Sequence, residues 1–143
     1  MYRVEKKFSI PIGHRLSKHD GRCHSIHGHN FTILVGVKSK ILNTNDMIID
    51  FADLRRLVNI ILDDYDHSLL VNKKDSPWMT PLAKELGLRA RVFDRDHDYD
   101  PTAERLSEQL FKMLKEILAP IGITTEYVTV FENENSKATY TEE

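Results

Sequence analysis

Two long runs of strict alternation occupy most of the first forty residues, and they constrain the fold more than any other feature of the chain. From Tyr2 to Leu16, residues Tyr2, Val4, Phe8, Ile10, Ile12 and His14 share one parity, while Arg3, Glu5, Lys7 and Ser9 hold the other. From His27 to Lys38 the pattern repeats, with His27, His29, Phe31, Ile33, Val35 and Val37 on one face. Asn30, Thr32 and Lys38 lie on the other, and Leu34 is the exception. Successive side chains of an extended chain point to opposite faces, so both runs read as half-buried strands. Each would reach roughly 40 Å at ~3.3 Å per residue. Pro11 lacks an N–H and is expected at an edge position or a bulge. So long a ribbon in a chain of 143 residues leaves an open edge. That edge must be covered or paired, and pairing between subunits is the expected remedy, hence a homo-oligomer.

The remainder alternates between helical and short extended segments. A short strand is expected at Met47 to Ile49, followed by a helix from Phe51 to Tyr65 with Asp50 as its N-cap. Phe51, Leu54, Leu57, Val58, Ile61 and Tyr65 supply the apolar face of that helix. A second long helix is expected to start at Asp100-Pro101, an N-cap followed by proline at the first helical position. It runs through Leu106, Leu110, Met113 and Ile117 and stops before Pro120 and Gly122. Tyr127 to Phe131 and Ala138 to Tyr140 read as closing strands. Between the helices, Val71 to Tyr99 is less legible: a helical turn from Thr80-Pro81 to Gly87, a strand at Arg89 to Phe93, and a solvated loop at Asp94 to Asp98. The order indicates an α+β fold, in one domain over residues 1–143.

Composition excludes several functional classes. With 41% hydrophobic and 29% charged residues, the chain has the balance of a globular protein. A net charge of -2 argues against a nucleic-acid module held mainly by phosphate contacts. No apolar run approaches the ~20 residues of a membrane span. The single cysteine excludes an intrachain disulfide and a Cys-rich zinc ribbon, and it suits a reducing, cytoplasmic setting.

Histidine carries the chemistry. Of the seven histidines, His27 and His29 lie two apart on one strand face, about 7 Å apart at the backbone. In an antiparallel hairpin, His14 falls opposite them. Three convergent imidazoles are a zinc ligand set that leaves a fourth position open, the arrangement of catalytic rather than structural sites. His19, His24 and His97 lie among polar loop residues and read as solvated. Cys23 sits in the Ser17–Ile26 loop beside Arg22 and His24, and nearby positive charge favours its thiolate; alone it would be an incidental thiol. Asp66-His67 reads either as an orienter-and-base pair or as a polar helix end. Glu132 ends a strand, and Thr102 and Glu104 in the first helical turn have ordinary capping and dipole reasons to be there.

Gly13-His14-Arg15-Leu16, Cys23-x-x-x-His27-Gly28-His29-Asn30-Phe31, Ile49-Asp50-Phe51, Tyr65-Asp66-His67, Pro101-Thr102-Ala103-Glu104 and Val130-Phe131-Glu132 occur in that order. Together they resemble the motifs of the 6-pyruvoyl-tetrahydropterin synthase and 6-carboxy-tetrahydropterin synthase (QueD) family. The resemblance implies the tunnelling fold (T-fold): a four-stranded antiparallel sheet with two helices on one face, assembling into an oligomeric barrel. It further implies a hexamer built from trimers, with active sites between subunits. By position, His14, His27 and His29 would bind Zn²⁺, and Cys23 would be the proton-transferring thiol. Asp66 and His67 would complete the catalytic group from a neighbouring subunit. Glu132 would anchor the pterin, with Thr102 and Glu104 as further substrate contacts. The implied substrate is 7,8-dihydroneopterin triphosphate, a small molecule. The implied products are 6-carboxy-5,6,7,8-tetrahydropterin, acetaldehyde and triphosphate, on the path to queuosine. In the pyruvoyl branch the reaction stops after triphosphate elimination. The Cys-x3-His-Gly-His spacing resembles the QueD pattern. A non-catalytic zinc- or pterin-binding homologue, and purely structural histidines, are the competing expectations.

Overall fold

A computed structural model describes all residues from Met1 to Glu143. The two alternating runs form strands β1 (Tyr2–His14) and β2 (His27–Ser39). They pair antiparallel in unbroken register from Tyr2–Ser39 to His14–His27. The apolar parity of both strands faces the core: Ile10, Ile12, Phe31, Ile33, Val35 and Val37 are all buried there. β1 ends at His14 rather than Leu16, because the Leu16 N–H turns to the Cys23 carbonyl at 2.8 Å and closes the loop. Pro11 lies on the open side of β1. Its carbonyl accepts from the His67 N–H at 2.9 Å, so its backbone polar edge faces away from β2 and the missing N–H removes no rung of the hairpin.

Helix α1 (Phe51–Leu62) is capped by Asp50, whose carboxylate accepts from the Ala52 N–H at 2.7 Å. It ends three residues before the expected Tyr65, in a turn leading to β3 (Ser68–Val71). Helix α2 (Ser76–Glu85) starts at Ser76, not at Thr80, and carries Pro81 inside it; Gly87, at φ 69°, stops the segment as expected. Strand β4 (Ala90–Val92) follows, then α3 (Ala103–Leu118), β5 (Thr124–Asn133) and β6 (Ser136–Tyr140).

The sheet has six strands in the order β4-β3-β1-β2-β5-β6. β3 runs parallel to β1, and β4 parallel to β3, so the sheet is mixed rather than four-stranded and antiparallel. β4 falls within the strand expected at Arg89 to Phe93, whereas β3 was hidden for a physical reason. All four residues of β3 are buried, so it shows no alternation, and a short apolar run of that kind is indistinguishable by period from the tail of a helix. There are three helices, not two. α1 and α3 bury Leu54, Val58, Ile61, Leu106, Leu110 and Leu114 in the main core. α2 instead packs Met79 against Leu69 and Val71 of β3. Those two residues alternate with Leu70, which belongs to the main core, so α2 backs the opposite face of that strand.

Two further expectations are corrected. Met47 to Ile49 form no strand: the Asn43 side chain accepts from the N–H groups of Asn45 and Met47 and winds this segment into a turn, with Ile48 and Ile49 filling the core edge. The N-cap of α3 is Thr102, whose hydroxyl accepts from the Arg105 N–H at 3.2 Å, not Asp100. No helix is long and apolar enough to cross a membrane.

Candidate metal centre

The continuous β1–β2 register brings His14 opposite His27, with His29 two residues along the same face. One ring nitrogen from each of the three lies within 4.8 Å of the others. Two rings are oriented from behind by backbone carbonyls. His14 Nδ1–H donates to the Pro101 carbonyl at 2.7 Å, and His27 Nδ1–H to the Ser25 carbonyl at 2.7 Å. Both tautomers therefore leave Nε2 as a lone pair, and the His14 and His27 Nε2 atoms stand 3.1 Å apart. The Nε2 of His29 is buried with no hydrogen-bond partner. An orphaned buried ring nitrogen is costly, and two lone pairs at hydrogen-bond distance can share at most one proton, so the set as it stands is electrostatically incomplete. A cation held by three neutral imidazoles would satisfy all of it, and outer carbonyl partners of this kind are how ligating histidines are usually oriented.

His14 is the anchor of the group, only 1% exposed. Burial, with the neighbouring His27 and His29, lowers its pKa from 6.5 to about 4 despite the Pro101 hydrogen bond. The ring is thus neutral and ready to ligate at physiological pH. Phe31 packs edge-on against His14 and His29, with ring centroids at 5.6 and 5.1 Å, and walls the inner side of the group. No thiol or carboxylate joins the three nitrogens.

A buried polar knot holds the Pro101 carbonyl in place. Asp100, 6% exposed, accepts from the Ser17 hydroxyl at 2.7 Å, the Lys18 N–H at 2.9 Å and the Asn72 amide at 2.7 Å. Burial alone would raise its carboxyl, but these donors together hold it below the ordinary carboxylate value. Its stabilising contribution is therefore present above that ordinary value and is lost as pH falls through the lowered one. Asp100→Asn should cost about 2–4 kcal/mol, because an amide nitrogen at Oδ2 would meet the Lys18 N–H donor against donor. Urea unfolding reads this directly. Metal affinity should fall roughly 10-fold or more through the displaced Pro101 carbonyl, and a variant with unchanged stability would remove Asp100 from this role.

The other expected site residues are distributed as follows. Cys23 lies half-buried in a 3₁₀ turn, Arg22–His24, inside the loop between β1 and β2. Thr102 and Glu104 sit at the start of α3, immediately after the carbonyl that holds His14, and Glu104 is exposed. Glu132 is half-buried one residue past the last β2–β5 rung, Thr32–Phe131, with the parity of Val128 and Val130; the register thus carries it toward Phe31 on the imidazole face. Asp66 and His67 form their pair, with His67 Nδ1–H donating to Asp66 at 2.6 Å, but the side chains are 46% and 79% exposed. His67, at φ 54°, lines a groove of about 460 Å³ with Gly13, Gly28 and Asn30, and His29 of the imidazole group borders the same groove. Neither Asp66 nor His67 is among the atoms that converge in the three-imidazole group. His19, His24 and His97 are exposed and outside the group.

The outer partners Asp100, Asn72 and Ser17 were not expected from sequence. Asp100-Pro101 had the form of a helix start, and the only signal against that reading was the competing cap residue Thr102.

Fold and site together define an α+β protein with a histidine cluster able to hold a metal ion, and its family and relatives make it an enzyme of lyase type. The chain belongs to the 6-pyruvoyl tetrahydropterin synthase family, whose family model matches residues 3–143. It is 32% identical to the 6-carboxy-5,6,7,8-tetrahydropterin synthase of Haemophilus influenzae, over 80% of this chain and 83% of that one. It is 27% identical to the Aquifex aeolicus protein of the same name, over 99% of each. Among solved structures, an uncharacterized protein of Wolinella succinogenes superposes with a TM-score of 0.77 at 21% identity, covering 99% of this chain and 98% of that one. The 6-pyruvoyl tetrahydropterin synthase of Caenorhabditis elegans superposes with a TM-score of 0.70 at 22% identity, covering 99% and 96%. These two show a shared fold.

Proposed function

We propose that this protein is a zinc-dependent lyase that converts 7,8-dihydroneopterin triphosphate and one water to 6-carboxy-5,6,7,8-tetrahydropterin, releasing acetaldehyde and triphosphate on the path to queuosine. The observation that carries the reading is the convergence of three imidazole nitrogens, one of them a buried orphan, with no fourth protein ligand of the usual kinds among them. The names of the Haemophilus and Aquifex relatives favour the carboxy product. The Cys23-x3-His27 spacing points the same way.

Zinc bound by His14, His27 and His29 would supply Lewis-acid polarisation of the substrate's side-chain oxygens. The chain's own groups do the rest. Cys23 carries a proton to and from the side-chain carbons. Asp66 holds His67 in one tautomer, leaving Nε2 free to exchange a proton. Glu132 accepts from the 2-amino and N3 hydrogens of the ring, a two-point match for a planar guanidine-like edge. The Thr102 hydroxyl proton remains free to donate to the ring, because the oxygen serves the α3 cap as acceptor only. Glu104, two residues on in the same first turn of α3, is a weaker contact. Because the side chain of the substrate supplies the electrons for ring reduction, no redox cofactor is required.

Assembly follows from the same residues. The outer edge of β1 from Tyr2 to Ile10 has no strand partner, and Asp66 and His67 are not among the atoms that converge with the imidazoles of their own chain. A homo-oligomer, a hexamer of two trimers closing T-fold barrels from single-domain subunits, covers the edge and brings one subunit's Asp66-His67 to another's metal. We place the protein in the cytoplasm, where a lone thiol stays reduced.

The test is the product mixture from 7,8-dihydroneopterin triphosphate and zinc-loaded protein. Acetaldehyde and triphosphate in equal amounts are expected. Triphosphate without acetaldehyde would assign the chain to the pyruvoyl branch, the activity for which the Caenorhabditis elegans neighbour is named. No turnover at full zinc occupancy would leave only a metal- or pterin-binding role.

A further inference from the structure

We infer that Arg15 is a positioning residue for the Cys23 turn, braced from behind by Asp75 and Trp78. The inference rests on the function proposed above, in which Cys23 moves a proton.

The carbonyls of Cys23 and His24 are held by consecutive residues at the end of β1. The Leu16 N–H donates to the Cys23 carbonyl at 2.8 Å, and the Arg15 Nε–H donates to the His24 carbonyl at 3.1 Å. Arg15 Nη2 also donates to His24 Nε2 at 2.9 Å, which is consistent with His24 donating its Nδ1–H to the His19 carbonyl at 3.1 Å. Arg15 follows His14 directly, so one strand end carries both a metal ligand and the guanidinium that grips the thiol's turn. Any tilt of that turn is then referred to the metal centre itself.

The guanidinium is in turn fixed. Its Nη1 stands 3.4 Å from Asp75 Oδ2, and both side chains are largely buried, at 12% and 9% exposure. That oxygen has no hydrogen bond of its own, so the Arg15 charge is its only compensation. Trp78 completes the seat: its ring lies 5.3 Å from the guanidinium carbon, and its Nε1–H donates to Asp75 Oδ1 at 3.3 Å. A buried carboxylate facing one cation and one aromatic ring holds that cation tightly. Only arginine's rigid fork can serve His24 and Asp75 at once; lysine offers a single point charge. Asp75 occupies the N-cap position of α2, its carboxylate turned to Arg15 and Trp78 rather than to the helix N–H groups, and Trp78 sits in the first turn, so α2 acquires a role as the brace of the catalytic turn.

The test uses zinc-loaded protein and iodoacetamide, which reads Cys23 alone because it is the only cysteine. In Arg15→Lys and in Asp75→Asn, the alkylation rate should rise roughly 5- to 10-fold as the half-buried turn opens, with zinc content unchanged. The kcat for dihydroneopterin triphosphate should fall about 10- to 100-fold, with KM within about twofold, the signature of a misplaced proton carrier. An unchanged alkylation rate in both variants overturns the inference. So does loss of zinc in parallel with the raised rate, since the clamp would then belong to the metal ligands. If the parent enzyme does not turn over this substrate, the function proposed above fails, while the alkylation arm still decides the clamp.

Discussion

A His27→Ala variant should lose zinc while keeping its fold. Loss of a single outer partner of a ligating histidine costs roughly 10- to 100-fold in affinity. Removing one of only three ligands should cost more, on the order of 10³-fold. The remaining pair, His14 and His29, would hold the ion with two open positions. His27 is half-buried at the first residue of β2, and its ring meets those of His14 and His29 and donates to the Ser25 carbonyl. Its removal leaves the β1–β2 ladder intact, so the metal-free variant should unfold within about 1 kcal/mol of the parent. Metal analysis after dialysis, with titration calorimetry, reads the loss. One tightly held zinc per chain in this variant would mean that the ion sits elsewhere, and the proposed chemistry would have no centre.

Cys23→Ala should behave in the opposite way, keeping zinc and losing turnover. The thiol is not among the atoms that converge at the metal centre, so its removal takes away no ligand. General acid–base groups contribute typically 10²- to 10⁴-fold, and kcat should fall by about that factor, or roughly 3–5 kcal/mol of barrier. Zinc stoichiometry and pterin binding should stay at parent levels. Wild-type rates in this variant would remove the thiol from the mechanism. In a homologue without chemistry, the substitution would find no activity to remove.

These two variants probe the part of the site that was most legible. Parity placed His14, His27 and His29 on the apolar face before any coordinates were needed, and the unbroken pairing from Tyr2–Ser39 to His14–His27 bore that out. The helices α1 and α3 were legible from their 3.6-residue period, and the Asp50 cap from its position just before that period begins. Other elements were not. β3 is buried on both faces, which erases alternation, and Met47 to Ile49 had strand-like residues that the Asn43 side chain folds into a turn. Asp100 sat where a helix cap belongs, yet its carboxylate is spent on Ser17, Lys18 and Asn72 instead.

The dividing line is the range of the interaction. Alternation, helical period and capping are written within a few residues of one another, so the sequence by itself determined the hairpin, the shared face of the three imidazoles and the two long helices. The carbonyl that orients His14 lies 87 residues away from it, the donors that secure Asp100 come from as far as 83 residues, and the sheet is made mixed by β3, a strand with no local signal. Such partners are chosen by which buried polar groups meet when the core closes, and each must find a hydrogen bond there or pay the desolvation cost. Only the tertiary structure decided those meetings.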